Sequence, residues 1–411
     1  MTRAPRTLIA SRLFPPEVSA GAFRLGALSR SLKERGADVL VLTTSPPDHA
    51  PLTSDPDGLQ VRRWPVLRDR GGNVRGYLQY ASYDVPLLLR LLFARFDVVV
   101  AESPPTTGLV VALVSAIRRR PVVYYAADVW TDGVISMGAP RIVIGLMRAM
   151  EREVLRRSKA IISVSDEVTE RLLRLDADPD RIATVGNGID TDVFTPDAVS
   201  PSVDDRYFVY TGTMSEWQRP DVFIRAFATI ADQYPDVRLR FFGQGAVEQE
   251  LRATARRLVP GRVDFGGVVS PKESASWIRG AVASLVSIVP GIGYDFARPT
   301  KTYAAAAVGT PVLFTGPEAG ARLVRDAGLG RAVAFTPEDV AAGMQELLNE
   351  NSDGLTEELR ATRARWARAH VSLAAVASRV ADVVARVRED WATRIDSARP
   401  AHAGDDGGPL S

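Results

Sequence analysis

At 411 residues, with 46% hydrophobic and 24% charged residues, the chain has an ordinary globular composition but is too long for one ordinary core, so two domains are expected. A formal net charge of +2 gives no electrostatic case for nucleic acid, and zero cysteines exclude disulfides, thiolate metal sites and a cysteine nucleophile. Only His49, His370 and His402 are present, which leaves few candidates for histidine catalysis or metal binding, and no metal or other cofactor is expected.

The opening MTRAPRTLIASR lacks an apolar region with a cleavage site, so no signal peptide is expected. No apolar run approaches the ~20 residues that span a bilayer. A cytoplasmic location is expected, with the inner face of the membrane left open.

In chain order, residues 7–11 read as a buried strand. The loop 12–21 follows, with Pro15, Pro16, Glu17 and Gly21. Residues 22–35 read as a helix with Leu25, Leu28 and Leu32 at helical spacing, ended by Gly36, and 38–43 as a second strand. This order opens a doubly wound sheet, whose ligands sit beyond the strand carboxyl ends. Gly21 would let a ligand approach the backbone, and Arg24 lies in the first helical turn. The alternative is a plain connection. Residues 59–64 read as a strand. The stretch 69–95 mixes Arg75, Tyr77, Tyr80 and Tyr83 with the apolar run 87–93. It reads as a loop and a core helix, or as a membrane-surface segment.

Strands follow at 98–101 and 122–126, with the loop 102–107 and a helix to about residue 118 between them. The segment 127–138 carries Asp128, Trp130, Asp132 and Gly133 just past a parallel strand. That position faces a cleft, although a turn carboxylate and a packed indole account for it equally well. A helix at 141–156, a strand at 160–164, a helix capped by Ser165 and a strand at 182–185 complete this half. Residues 186–205 are turn-rich.

A second α/β series begins with the strand 207–210, directly followed by Gly212 and Thr213. A helix at about 220–233 leads to the strand 237–242, which ends in Gly243 and Gly245. Further strands read at 263–266 and 283–288. The stretch 295–314, DFARPTKTYAAAAVGTPVLF, reads as loop, short helix and buried strand. Pro299 and Thr300 suit the helix start, and Gly309 suits a left-handed residue after its end. Arg298 and Lys301 flank the helix start. A phosphate there would meet two cations and the helix dipole, the alternative being a loop with two solvated cations. A helix from about residue 318, a strand near Ala332 and helices to about residue 390 follow. Residues from 394 on are rich in Gly, Pro and Asp and are expected to be disordered.

The expected fold class is therefore α/β, with two consecutive doubly wound Rossmann-like domains facing across a cleft. The expected boundaries are 1–190, a linker at 191–205, 206–368, a closing helix at 369–391 and a tail at 392–411. Neither domain carries GxGxxG or GxxxxGK[ST] in a strand-to-helix turn, which disfavours a dinucleotide dehydrogenase and a P-loop NTPase.

Over nearly its whole length the chain resembles the family 4 retaining glycosyltransferases of the GT-B fold. The likeness is carried by FPPEVSAGAFRLGALSRSLKERGADVLVLT, VGNGIDTDVF, YTGTM and RPTKTYAAAAVGTPVL, in that order. Ser103–Pro105, Asp128–Trp130 and Pro299–Lys301 are similar to segments of the N-acetylfucosaminyl transferase branch. The resemblance implies transfer of a sugar from a nucleotide diphosphate donor with the anomeric configuration kept. It implies that Gly212 and Thr213 approach the diphosphate, and that Gly243, Gly245 and the stretch around Val268 line the nucleotide. Gly21 would close over the phosphates, and the acceptor would enter near Glu17, Ser103, Asp128 and Trp130. The closing helix would return to the first domain.

Against the family pattern, Thr213 and Gln218 stand where many members hold an Arg and a Lys, and Phe296 and Ala304 stand where many hold two glutamates. Arg298, Pro299, Thr300 and Lys301 are expected to supply the diphosphate grip, with Arg219 or Arg24 as further cations. Asp128 is the candidate to orient or deprotonate the acceptor, and Arg298 and Lys301 to stabilise the leaving group. The expected partners are a sugar-nucleotide donor and a small-molecule or lipid-linked acceptor, with no nucleic acid. A peripheral membrane contact and a homodimer are left open. The rival reading is a non-catalytic subunit that binds sugar nucleotides beside a second enzyme.

Overall fold

The structure is a computed structural model that describes residues 4–17, 19–47, 55, 58–69, 74, 76–136, 138–292, 295, 299–352 and 357–397. The chain divides into two compact units. The first takes the residues up to Val164, then Val168–Val185, then those from Ala377 on. The second takes Ser165–Glu167 and Gly186–Val376.

The elements of the N-terminal half run β1 (Arg6–Ala10), α1 (Ala20–Glu34), β2 (Asp38–Thr44), β3 (Gln60–Trp64), α2 (Tyr77–Phe93), β4 (Val98–Glu102), α3 (Pro105–Ile117), β5 (Val122–Ala126), α4 (Trp130–Ser136), α5 (Arg141–Arg157), β6 (Ala160–Ser163), α6 (Asp166–Arg174) and β7 (Ile182–Thr184). Among the described residues, seven parallel strands form one sheet in the order β3-β2-β1-β4-β5-β6-β7. The strands β4 and β5 are buried along their whole length, as apolar runs covered by helices on both faces must be. Sheet order reverses between β1 and β4, so the loops leaving these two strands flank a topological switch point.

The series continues with β8 (Arg206–Thr211), α7 (Asp221–Ile230), β9 (Val237–Phe242), α8 (Glu248–Leu258), β10 (Val263–Gly267), α9 (Pro271–Gly280), β11 (Ala283–Ser287), α10 (Thr300–Val308), β12 (Val312–Thr315), α11 (Glu318–Asp326), β13 (Gly330–Val333), α12 (Pro337–Ser352), α13 (Glu357–His370) and α14 (Leu373–Ser397). Among the described residues, six parallel strands pair in the order β10-β9-β8-β11-β12-β13, with the reversal between β8 and β11. The two stretches of chain at the edge of the second unit run side by side. Ile189 donates to the Val371 carbonyl at 2.7 Å and accepts from the Leu373 amide at 2.8 Å.

Four local readings change. α1 starts at Ala20 because the Ser19 hydroxyl accepts the Ala22 amide at 3.2 Å and caps it. Pro299 is the N-cap of α10, Thr300 is already helical, and among the described residues no side chain caps the first turn. α2 is not a core helix throughout. Tyr83, Asp84, Leu87 and Leu91, at helical spacing, are its buried residues, while other apolar residues point outward. α14 continues to Ser397, past the expected start of the tail. Residues 398–411 lie outside the described ones. No described helix is long and apolar enough to cross a membrane.

Candidate functional site

In the second unit the loops leaving β8, β9 and β10 are laced by backbone hydrogen bonds. Gly212 N–H donates to Phe242 O at 2.8 Å, Met214 to Gln244 O at 3.0 Å, and Gly243 to Gly267 O at 2.6 Å. This lacing needs bare backbone. Gly243 has φ +123°, and a Cβ there would lie 2.1 Å from Gly212 O. The Gly212 and Gly243 positions thus bring two chain turns together at the switch point, one side of which is left by β8 and the other by β11. Val289 N–H donates to Trp217 O at 2.9 Å and ties the β11 loop to the β8 loop.

Lys301, in the first turn of α10, projects into this place. Its Nζ lies 4.5 Å from the centre of the Tyr210 ring and donates to Thr213 O at 3.4 Å. A Cβ on Gly212 would sit 2.7 Å from that Nζ. Among the described residues no carboxylate pairs with Lys301. Burial brings its pKa from 10.5 down to about 7. An ammonium unpaired among the described residues and the first amides of α10 meet beside the exposed residues Gly212 and Thr213, and that is the chemistry of an anion seat.

Gln218 stands where a family lysine is expected. It is buried, with its amide oxygen accepting from Tyr210 OH at 2.7 Å and Ser215 OH at 3.2 Å. It therefore fixes the tyrosine on which Lys301 rests. Arg219 is held by Asp221 at 2.9 and 3.2 Å and lies 3.7 Å from Glu250, so its charge is already matched. Burial opposes an ionised Asp221, but bonds from Arg219 and Arg225 outweigh it and lower its pKa. Pro299 is half-buried and Thr300 exposed, both at the helix start. Gly245 packs on the Met214 backbone, and Val268 is exposed past β10. Ala304 is buried in the apolar cluster behind α10, where a carboxylate would have no water. Arg298 and Phe296 lie outside the described residues.

In the first unit the β1 and β4 loops hold a buried carboxylate. Glu102 ends β4, accepts from Ser11 OH at 2.6 Å and from Arg24 Nη2 at 3.2 Å, and is 3% exposed. Burial raises its pKa, opposed by Arg24 and Ser11. Gly21 is where this carboxylate needs room, since a Cβ there would be 2.9 Å from Glu102 Oε1. Glu102 thus occupies the space that a side chain at Gly21 would take. Arg24 is not a free cation. Ser103 N–H donates to Tyr125 O at 3.1 Å.

Glu17 accepts from Arg68 at 3.3 Å, and Arg68 also donates to Thr44 OH and Ser45 O. Asp128 is exposed in the turn after β5 and makes no hydrogen bond or ion pair among the described residues. Trp130 meets the Tyr80 ring edge-on at 5.8 Å, and the Arg12 guanidinium stacks on the other ring, 4.0 Å from the centre of Tyr80. The Trp130 Nε1 is buried without a partner among the described residues. Glu151, fully buried on α5, receives the Trp130 and Thr131 amides at 2.8 and 2.9 Å and fixes the start of α4. Its pKa is raised by burial.

Sequence reasoning missed Glu102, Glu151, Arg12, Tyr80 and Tyr210 as parts of these clusters. A signal existed for two of them. Glu102 closes an otherwise apolar strand, and Glu151 is an acid in register with the apolar Met147, Val154 and Leu155.

Residues 20–188 match the Glycosyl transferase 4-like domain, and residues 205–350 match Glycosyl transferases group 1. The chain is 29% identical over 263 residues to D-inositol 3-phosphate glycosyltransferase 2 of Catenulispora acidiphila, a match covering 58% of this chain and 59% of that one. It is 28% identical over 189 residues to D-inositol 3-phosphate glycosyltransferase of Streptomyces scabiei, covering 40% of each. The matches thus span less than two thirds of the length of these relatives. Among solved structures it is similar to Anabaena Alr3699/HepE in complex with UDP and glucose, at 15% identity and TM-score 0.64, covering 92% of this chain and 99% of that one. A glycosyltransferase from Rickettsia africae gives 13% identity and TM-score 0.68 over 93% and 98%. At these identities the likeness concerns the fold, two parallel-sheet Rossmann-like domains of the GT-B type.

Proposed function

Because the chain belongs to the glycosyltransferases, with a 4-like domain followed by a group 1 domain, we propose that it moves a sugar from a nucleotide diphosphate donor to an acceptor hydroxyl with retention of anomeric configuration. The observation that carries this reading is Lys301, an unpaired ammonium at the switch point of the second sheet beside the bare Gly212 backbone. The UDP-bound structural neighbour supports a sugar-nucleotide donor. Relatives named for D-inositol 3-phosphate favour a small polar acceptor, and the apolar run 87–93 beside tyrosines favours a lipid-linked one.

In the proposed reaction the bond between the anomeric carbon and the diphosphate oxygen breaks, and its electron pair stays on that oxygen. Lys301 and the first amides of α10 stabilise the charge that builds there. The acceptor oxygen bonds the same face of the anomeric carbon, and its proton passes to the departing phosphate oxygen. Asp128, exposed and unpaired, orients the acceptor hydroxyl. The Arg12–Tyr80–Trp130 stack gives a sugar ring or polyol an aromatic edge.

Titration calorimetry with a panel of nucleoside diphosphates, followed by a transfer assay with the matching sugar nucleotides, tests this. Binding with turnover is expected. Binding without turnover on any acceptor would favour the non-catalytic subunit, and no binding would remove the donor assignment.

A further inference from the structure

The outer side of the first unit is apolar where a water-facing helix layer is ordinarily polar. Helices α2, α3 and α5 cover one face of the seven-stranded sheet, sharing one core cluster, with α3 packed against both others. Their inner sides account for the burial of Leu87, Val111 and Val154. Their outer sides carry Leu78, Val85, Phe93, Ile117, Ile142 and Leu146, between 60 and 85% exposed. On α2 the positions 78, 81, 85, 89 and 92 fall at helical spacing and are all apolar, so that helix is apolar on both sides. A patch of this extent on a domain surface marks a docking face.

Among the described residues the exposed, unpaired charge of these three helices has one sign. Arg141 and Arg148 of α5 are exposed without an ion-pair partner. The acids of these helices are withdrawn. Asp84 is buried and accepts from Thr107 at 2.6 Å. Glu151 is buried at the start of α4, and Glu153 is held by Arg156 and Arg157. The sequence of α3 contains no acid. A two-fold pairing of this face with itself would set arginines against arginines. An anionic lipid surface supplies both the apolar depth and the opposite charge.

We propose that the outer side of α2, α3 and α5 rests on an anionic bilayer, with the apolar side chains in the acyl boundary and the arginines at the headgroups. This stands without the transferase reading. The same α2 carries Tyr80, stacked with Arg12 and Trp130. Docking would thus hold that cluster about one helix diameter, ~10 Å, from the bilayer.

The test is co-sedimentation of the full chain with vesicles of phosphatidylcholine alone and of phosphatidylcholine with phosphatidylglycerol. Binding to the anionic vesicles is expected, weakened by salt. It should fall about fivefold for each of Arg141→Gln and Arg148→Gln, the size of one basic residue at such a surface. Phe93→Glu with Leu89→Glu should abolish it, and because both side chains are exposed the circular dichroism spectrum should not change. Sedimentation equal for the wild type and all variants would overturn the proposal. So would no sedimentation with anionic vesicles, or a dimer in light scattering that these same variants dissociate.

Discussion

The Lys301 ammonium faces the Tyr210 ring at 4.5 Å, and the hydroxyl of that same tyrosine is held by the Thr213 carbonyl and Gln218 at 2.7 Å each. The lysine is therefore positioned by a residue that is itself pinned, which is the preorganisation an oxyanion stabiliser needs. Lys301→Ala is expected to lower turnover about 10²-fold, the size of losing one such contact. Steady-state rates on the donor found by calorimetry check it, and a wild-type rate would dismiss the assignment.

The lysine also gives nucleotide binding a pH signature. Its pKa, brought to about 7 in the free protein, must rise when a diphosphate arrives. At pH 8 binding should take up nearly one proton, and at pH 6 almost none. Calorimetry in two buffers of different ionisation enthalpy reads this directly, and Lys301→Met should abolish the uptake. The stability sign follows from the same shift. Between about 7 and 10.5 the unfolded chain holds a proton that the folded one lacks, so the wild type should gain stability relative to Lys301→Met as pH rises through that window.

Gly243→Ala should destabilise the second unit by about 2 kcal/mol or more, because the residue is left-handed and its Cβ would meet the Gly212 carbonyl. Denaturant unfolding measures the loss. Nucleotide affinity should drop with it, since the turn it would displace carries Gly212. An alanine variant that kept both would mean the lacing of these loops is unimportant.

Glu102→Ala leaves Arg24 buried and unpaired, and a loss of about 3–5 kcal/mol is expected. Glu102→Gln should cost less and have a distinctive pH profile. The folded pKa of Glu102 lies above its ordinary 4.5, so the wild type loses stability as pH rises from about 4.5 through that raised value. The variant has no such proton. Its melting temperature relative to wild type should therefore improve from pH 4.5 upward, and a constant difference would count against a buried carboxylate that ionises.

Asp128→Asn should reduce turnover by about 10- to 100-fold without changing nucleotide affinity, as expected for a group that acts on the acceptor alone. Parallel kinetics and calorimetry separate the two effects. An equal loss in both would move Asp128 out of that role.

The central strands, such as β4 and β5, were legible because each is a short apolar run ended by turn residues, whereas the edge strand β3, QVRRW, is half polar. The place of Lys301 in a first helical turn was legible because an alanine-rich run between Pro299 and Gly309 bounds a short helix. The Glu102 cluster was not, since its partners Ser11 and Arg24 lie 91 and 78 residues away and only the sheet joins them. Nor was the exposure of α2. Apolar on every side, its pattern names no buried face, and only the packing of Leu87 and Leu91 on the sheet decides it. Arg24 is likewise paired across 78 residues, by Glu102, whereas the partner of Arg219, Asp221, lies only two residues on.

The pairing of Ile189 with the segment around Ser372 has a practical outcome for anyone handling this chain. A stretch whose beginning and end are already stapled together is topologically a cassette. Gly186–Val376 should be separable as a single recombinant fragment, on which nucleotide titrations can be run with α2, α3 and α5 absent from the tube.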